Sequence, residues 1–324
     1  MSMINRLLMS FVVLCALVAP AFAEDKPTYA ERLGYPKGAR VVLFHEDDAG
    51  MSYGQNQGAI QALEYGVLTS VSTMMPCPWV SDFAGYLKEH PNVDTGLHLT
   101  LTSEWHAYRW GPVAGKAAVP GLVDDDGCLW SNVISVVTHA SAEEVDKEIR
   151  AQLDRALTLG IPITHLDTHM GTLYAKPEYT EAYVKLGIEK QIPVMIMGGH
   201  LQFIKDDEPD AVKQLSITQL ADKVWQGGLP VLDDLLNRTY GWKSFDEKKA
   251  NLLKALGEMQ PGLTMVIFHC AQPTEEWQYF TTSSETRTSD LKLMTDPDVK
   301  KFLADGKFIQ TTWRELMERR KKAK

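Results

Sequence analysis

The sequence predicts an α/β fold, a parallel sheet closed or nearly closed into a (β/α) barrel with helices outside. Two observations predict it. Seven short apolar runs alternate with amphipathic runs, and that alternation sets helices against a parallel sheet. Seven candidate strands in 324 residues fit a barrel. An open doubly wound sheet is the alternative, but no Gly-rich phosphate loop follows any strand.

Residues 1–23, "MSMINRLLMSFVVLCALVAPAFA", read as a secretory signal peptide. They carry one arginine, an apolar stretch from Leu7 to Val18 and small residues at Ala21 and Ala23, so cleavage would leave Glu24 first. An uncleaved anchor is the rival reading, but the apolar stretch is short and Pro20 interrupts it. Residues 24–324 are then expected as a single domain, exported to a periplasmic or extracellular location, with no membrane span left.

The strand candidates are "RVVLFH" (40–45), "LTSVSTMM" (68–75), "DTGLHLTL" (94–101), "ITHLDTH" (163–169), "IPVMIM" (192–197), "LTMVIFH" (263–269) and "KFIQTT" (307–312). Helices are expected at 55–65 and 80–90. The clearest covers 141–159, where Ser141 and Glu144 form a capping box and Val145, Ile149, Leu153 and Leu157 repeat as an apolar stripe. Gly160 and Pro162 end it. Pro177 opens a helix over 177–190, another covers about 246–258, and a last one opens at Thr312 with Glu315 three residues on. Residues 102–140 and 198–245 break the rhythm as long loops, the length at which loops carry function or small elements of their own.

A formal charge of -9 argues against an electrostatic nucleic-acid binder. Cys15 leaves with the signal. Cys77, Cys128 and Cys270 show no zinc-motif spacing and read as small buried hydrophobes. A Cys77–Cys128 or Cys128–Cys270 bridge stays open in an oxidising compartment.

The chemistry gathers at the strand ends. "VVLFHEDDAGMSYG" ends an apolar run in His45, Glu46, Asp47 and Asp48, and His98, His169 and His269 also stand at or near the ends of such runs. In a parallel barrel these ends share one rim. One carboxylate and two imidazoles make a common divalent-metal site with open positions. Adjacent strand residues point in opposite directions, so one Asp is expected to ligate and the other to take a proton from water. His165, Asp167 and His169 alternate onto one face. The bland alternatives are a polar turn at 47–50 and a packed core histidine at His98 or His165.

These stretches resemble the YdjC-type carbohydrate deacetylases. "HEDDAGMSYGQNQGAI" is similar to that family's N-A-D-D-F-G-x-S opening, "GLHLTLT" to its second motif, "HLDTH" to its H-L-D-S-H and "VIFHCA" to its late histidine segment; "VPGLVDDDG" echoes a further loop. The resemblance covers most of residues 40–290. It implies an irregular barrel of the polysaccharide-deacetylase type and metal-dependent removal of N-acetyl groups from an amino sugar in an oligosaccharide, polysaccharide or glycoconjugate. It implies Asp48, His98 and His169 as ligands of one divalent ion, Zn2+ or Mg2+, with Asp47 as general base and His269 as general acid. Asp167 would hold His269 or His169, and His165 and His45 would lie near substrate or behind the ligands. Trp105 and Trp130 would stack on sugar rings, or else tie their loop down. His45, Glu46, Ala49 and Gly171 depart from the family pattern. An esterase or amidase on the same site, or a sugar-binding module, are the other functional readings.

Overall fold

Ten residues, Arg40–Ala49, form β1, and Val41–Phe44 within it are fully buried. The computed structural model describes residues 26–207 and 211–323. The expected signal sequence lies outside the described residues. No helix among them is long and apolar enough to cross a membrane.

The other strands are β2 (Ser70–Thr73), β3 (Thr95–Leu99), β4 (Ile163–Thr168), β5 (Asp234–Leu236), β6 (Gly262–Phe268) and β7 (Ile309–Gln310). All pairings are parallel, in the order β4-β3-β2-β1-β6-β5. β1 lies along β6 from Arg40 to Glu46; β7 pairs it at Val41 and Val42, and β2 pairs it from His45 to Ala49.

The expected strand at 192–197 is not a ladder. It forms single bridges, Val194 to Leu166 and Met197 to Leu232, which link the β4 edge of the sheet towards β5. Met195 N donates to Leu166 O at 3.0 Å and Gly198 N to Leu232 O at 2.9 Å. Among the described residues the sheet is therefore an irregular half-barrel, joined on this side by single bridges rather than a ladder. β5 itself was not expected, since three residues carry no readable period.

Side chains alternate along β1. Val41 and Leu43 enter one apolar cluster with Val71, Leu97 and Trp313; Val42 and Phe44 enter another with Leu252, Leu256 and Leu291. The second cluster lies under the helices Phe245–Glu258 and Ser284–Met294.

The six expected helices form, as Tyr53–Tyr65, Val80–Glu89, Ala142–Thr158, Pro177–Lys190, Phe245–Glu258 and Trp313–Lys322. The Ser141–Glu144 capping box is present, and Thr312 Oγ1 accepts from Glu315 N. One stripe residue fails. Leu157 is 54% exposed while Ala156 is buried. A four-residue repeat drifts by about 40° per step around a 3.6-residue helix, so three steps carry Leu157 off the buried face. Residues 198–245 are not one loop; they hold the helices Gln202–Asp207 and Ala211–Gln226 as well as β5. Cys77, Cys128 and Cys270 are all free, so neither bridge forms; Cys128 is only half-buried.

Candidate active site

Asp47 and Asp48 are neighbours on a strand, yet both carboxylates reach the same cluster. The register explains it. Three steps of β1, Glu46 to Ala49, face two steps of β2, Val71 to Thr73. The extra residue is a bulge, and Asp48 takes φ +69° within it. The pleat is broken there and Asp48 is re-aimed, which corrects the expectation that the two acids diverge. Glu46 does point away. Its Oε1 accepts from Gln55 Nε2 at 2.8 Å and from Cys270 N at 2.6 Å, and burial pushes its pKa well up.

Asp48, His98 and His169 come together at the carboxyl ends of β1, β3 and β4. Asp48 Oδ1 lies 3.3 Å from His98 Nε2 and 3.2 Å from His169 Nδ1, and the two ring nitrogens are 3.2 Å apart. Donors bound to one tetrahedral ion at ~2.1 Å stand about 3.4 Å apart, so the triangle has the size of a ligand face. Asp48 Oδ1 is buried without a hydrogen bond. Three converging donor atoms with one unsatisfied oxygen fit a divalent cation. Asp48 Oδ2 meets Arg287 Nη2 at 2.7 Å. Burial opposes the Asp48 charge, but Arg287 and the two histidines outweigh it and hold the pKa well below the carboxylate range.

Each histidine of the triangle has a carboxylate on its other nitrogen. His98 Nδ1 is 2.7 Å from Asp167 Oδ1, and His169 Nε2 is 3.0 and 3.1 Å from the two oxygens of Glu104. Metal-binding histidines are commonly held this way. Asp167 therefore serves His98, where the sequence pointed to His269 or His169. Its second oxygen meets His45 Nε2 at 2.8 Å. His45 also touches Ser70 Oγ at 3.0 Å, Ser72 Oγ at 3.1 Å and Asp47 Oδ1 at 3.3 Å. Burial disfavours its cation, but Asp167 and Asp47 raise its pKa to about 9.

Asp47 Oδ2 stands 3.8 Å from His98 Nε2 and 3.8 Å from His269 Nε2. His269 is packed edge-on to Tyr240, and its backbone N donates to Asp290 Oδ2 at 3.0 Å. Burial lowers its pKa to about 4.

Three candidates stand outside the cluster itself. His165 stacks on Trp313 with centroids 5.2 Å apart, and a Cβ on Gly96 would come within 2.3 Å of its ring. It is packed behind Asp167 at 3.6 Å rather than open to a substrate. Trp105 is buried among Tyr108, Trp277 and Phe280. Trp130 donates Nε1–H to Gly121 O at 2.8 Å and stacks on His139. Both tryptophans tie the loop down. Two aromatics that are exposed are Tyr53 and Trp79, 43% and 40% exposed, with rings 5.4 Å apart. They sit just beyond β1 and β2, and Trp79 N donates to Gly50 O at 3.0 Å.

Glu104 and Arg287 were not singled out by sequence. Glu104 stands in "LTSEW", an acid among Thr, Ser and Trp, which is a faint signal. Arg287 has none, because its partner is 239 residues away, at Asp48.

The chain matches the family model described as YdjC-like protein over residues 41–305. It is 31% identical over 298 residues to a carbohydrate deacetylase of Thermus thermophilus, covering 89% of this chain and 97% of the relative. It is 24% identical to a carbohydrate deacetylase of Thermoanaerobacter pseudethanolicus, covering 85% of this chain and 98% of the relative. A crystal structure from Enterococcus faecalis V583, provisionally described as a cellobiose-phosphate cleavage protein, superposes with a TM-score of 0.71 at 20% identity, over 86% of this chain and 99% of that one. That likeness bears on the fold. With a family match across most of the chain and a full-length relative above 30% identity, the protein belongs to the YdjC-like family.

Proposed function

We propose that this protein is an exported, metal-dependent carbohydrate N-deacetylase. The observation that carries the reading is the Asp48–His98–His169 triangle, with sides of 3.2 to 3.3 Å, flanked by Asp47 and His269. The Thermus and Thermoanaerobacter relatives, both named carbohydrate deacetylases, support the reaction class. The signal-like residues 1–23 support export.

One divalent ion held by Asp48, His98 and His169 would supply Lewis acidity and a more acidic water. Two imidazoles and one carboxylate suit Zn2+ better than Mg2+. Asp47 takes the proton from the attacking water as the acetamide carbonyl becomes tetrahedral. His269 starts neutral, since burial holds its pKa near 4. The proton it gives to the departing nitrogen is then the one Asp47 has taken, across the 3.8 Å that separates them. The C–N bond breaks, leaving acetate and a free amine. Tyr53 and Trp79 offer flat faces to neighbouring sugar rings.

The test is acetate release from N-acetylglucosamine oligomers and glycosaminoglycan fragments, with metal content measured. Release by the wild type, lost in Asp47→Asn while that variant still holds metal, supports the reaction and the base. No release from any acetylated sugar at full metal loading sinks the amino-sugar reading, and ester and peptide substrates come next. The mass of the secreted chain tests export, with Glu24 as the expected first residue.

A further inference from the structure

Glu104 lies outside every motif that carries the family resemblance, yet both its oxygens face His169 Nε2, at 3.0 and 3.1 Å. The opposite nitrogen, Nδ1, is the one that joins the triangle. Glu104 is not on the sheet. It arrives five residues past the end of β3, where the 102–140 segment begins.

The backbone on either side of it is pinned. Trp110 Nε1 donates to Thr102 O at 2.9 Å, Ser103 N donates to Trp130 O at 2.8 Å, and Ser103 Oγ accepts from Trp110 N at 3.0 Å. Trp105, the next residue, is locked against Phe280 and Trp277. The carboxylate is thus delivered by a fixed stretch of chain.

A neutral imidazole carries its proton on one nitrogen and its lone pair on the other. A carboxylate at Nε2 favours the tautomer with the proton there, which leaves the Nδ1 lone pair aimed at the corner shared with Asp48 and His98. We propose that Glu104 is a positioning residue of the metal centre, fixing the tautomer and ring plane of His169 from the long loop. This rests on the metal reading of the triangle but not on the identity of the substrate. It also makes the 102–140 segment part of the metal centre, because Glu104 holds its place only while that segment is docked.

The experiment is Zn2+ titration of the full chain against a competing chelator, for wild type, Glu104→Gln and Glu104→Ala. Removing such an outer carboxylate typically weakens metal binding about 10- to 100-fold. Glu104→Ala should fall in that range, and Glu104→Gln, which keeps one acceptor oxygen, should lose less. Nitrogen-15 spectra of the metal-free proteins, taken at a pH high enough that His169 is neutral, supply a readout that packing alone would not move. The wild type should show His169 protonated at Nε2, and Glu104→Ala should show a mixture. Should Glu104→Ala not fold, Glu104→Gln carries both measurements. Wild-type affinity within twofold and an unchanged tautomer in the variants would overturn the proposal. A wild type that binds no Zn2+ would instead overturn the metal reading beneath it.

Discussion

Asp48 shows how one backbone irregularity makes a site. A non-glycine residue at φ +69° costs about 1–3 kcal/mol, and that cost is sustained by the ladder on both sides of the bulge. The same cluster has a proton consequence. Burial works against the His169 cation, but Glu104 and Asp48 raise its pKa to about 9, and Asp47 and Asp167 raise that of His98. A folded-state pKa above neutral leaves the metal-free ring protonated at pH 7, and the ion must displace that proton. Zn2+ binding at pH 7 should therefore release at least one proton, and affinity should fall as pH drops below about 9. Calorimetry in buffers of different ionisation enthalpy checks this; a binding heat independent of buffer would contradict it.

At the level of elements, the helix Tyr53–Tyr65 sets the seating of the rim. A Cβ on Gly58 would lie 2.4 Å from Ala271 Cα and 2.4 Å from Cys270 O, both backbone atoms of the segment that follows β6. They have little room to move, so Gly58→Ala should destabilise by about 1–3 kcal/mol, read as a lowered midpoint in urea. On the neighbouring loop, Trp79→Ala should raise KM several-fold for acetylated oligosaccharides and leave kcat nearly unchanged. An equal loss in kcat would place Trp79 in the chemistry instead. These elements also show what could be read in advance. The convergence of the 47–48 acids, His98 and His169 was legible because each stands at or near the end of an apolar run and strand polarity carries such ends to one rim, while the choice of Asp48 over Asp47 came from the family resemblance. The bulge was not, because it exists only as a mismatch between β1 and β2. Glu104 and Arg287 were hidden for a related reason. Their partners are chosen by packing between distant segments, and no local period records it. The 192–197 run has strand composition but only two single bridges, since pairing depends on its neighbours as well as on its own residues.

For the whole molecule, the triangle joins three strands, so an ion held there would link binding to folding. A ligand that binds only the native state at 100 times its Kd adds about 2.7 kcal/mol. Saturating Zn2+ should raise the unfolding temperature by several degrees, a chelator should reverse it, and His98→Ala should abolish the response. An unchanged midpoint in the wild type would mean that no ion is held in the folded state.

β1 begins at Arg40, but two of its partners are β6 and β7, at Gly262–Phe268 and Ile309–Gln310. A ribosome must make nearly the entire chain before the central strand can be flanked. Loops that long close slowly, and a parallel sheet gains little until they do. The central pairings of the half-barrel should therefore form only as the last turns of the nascent chain emerge.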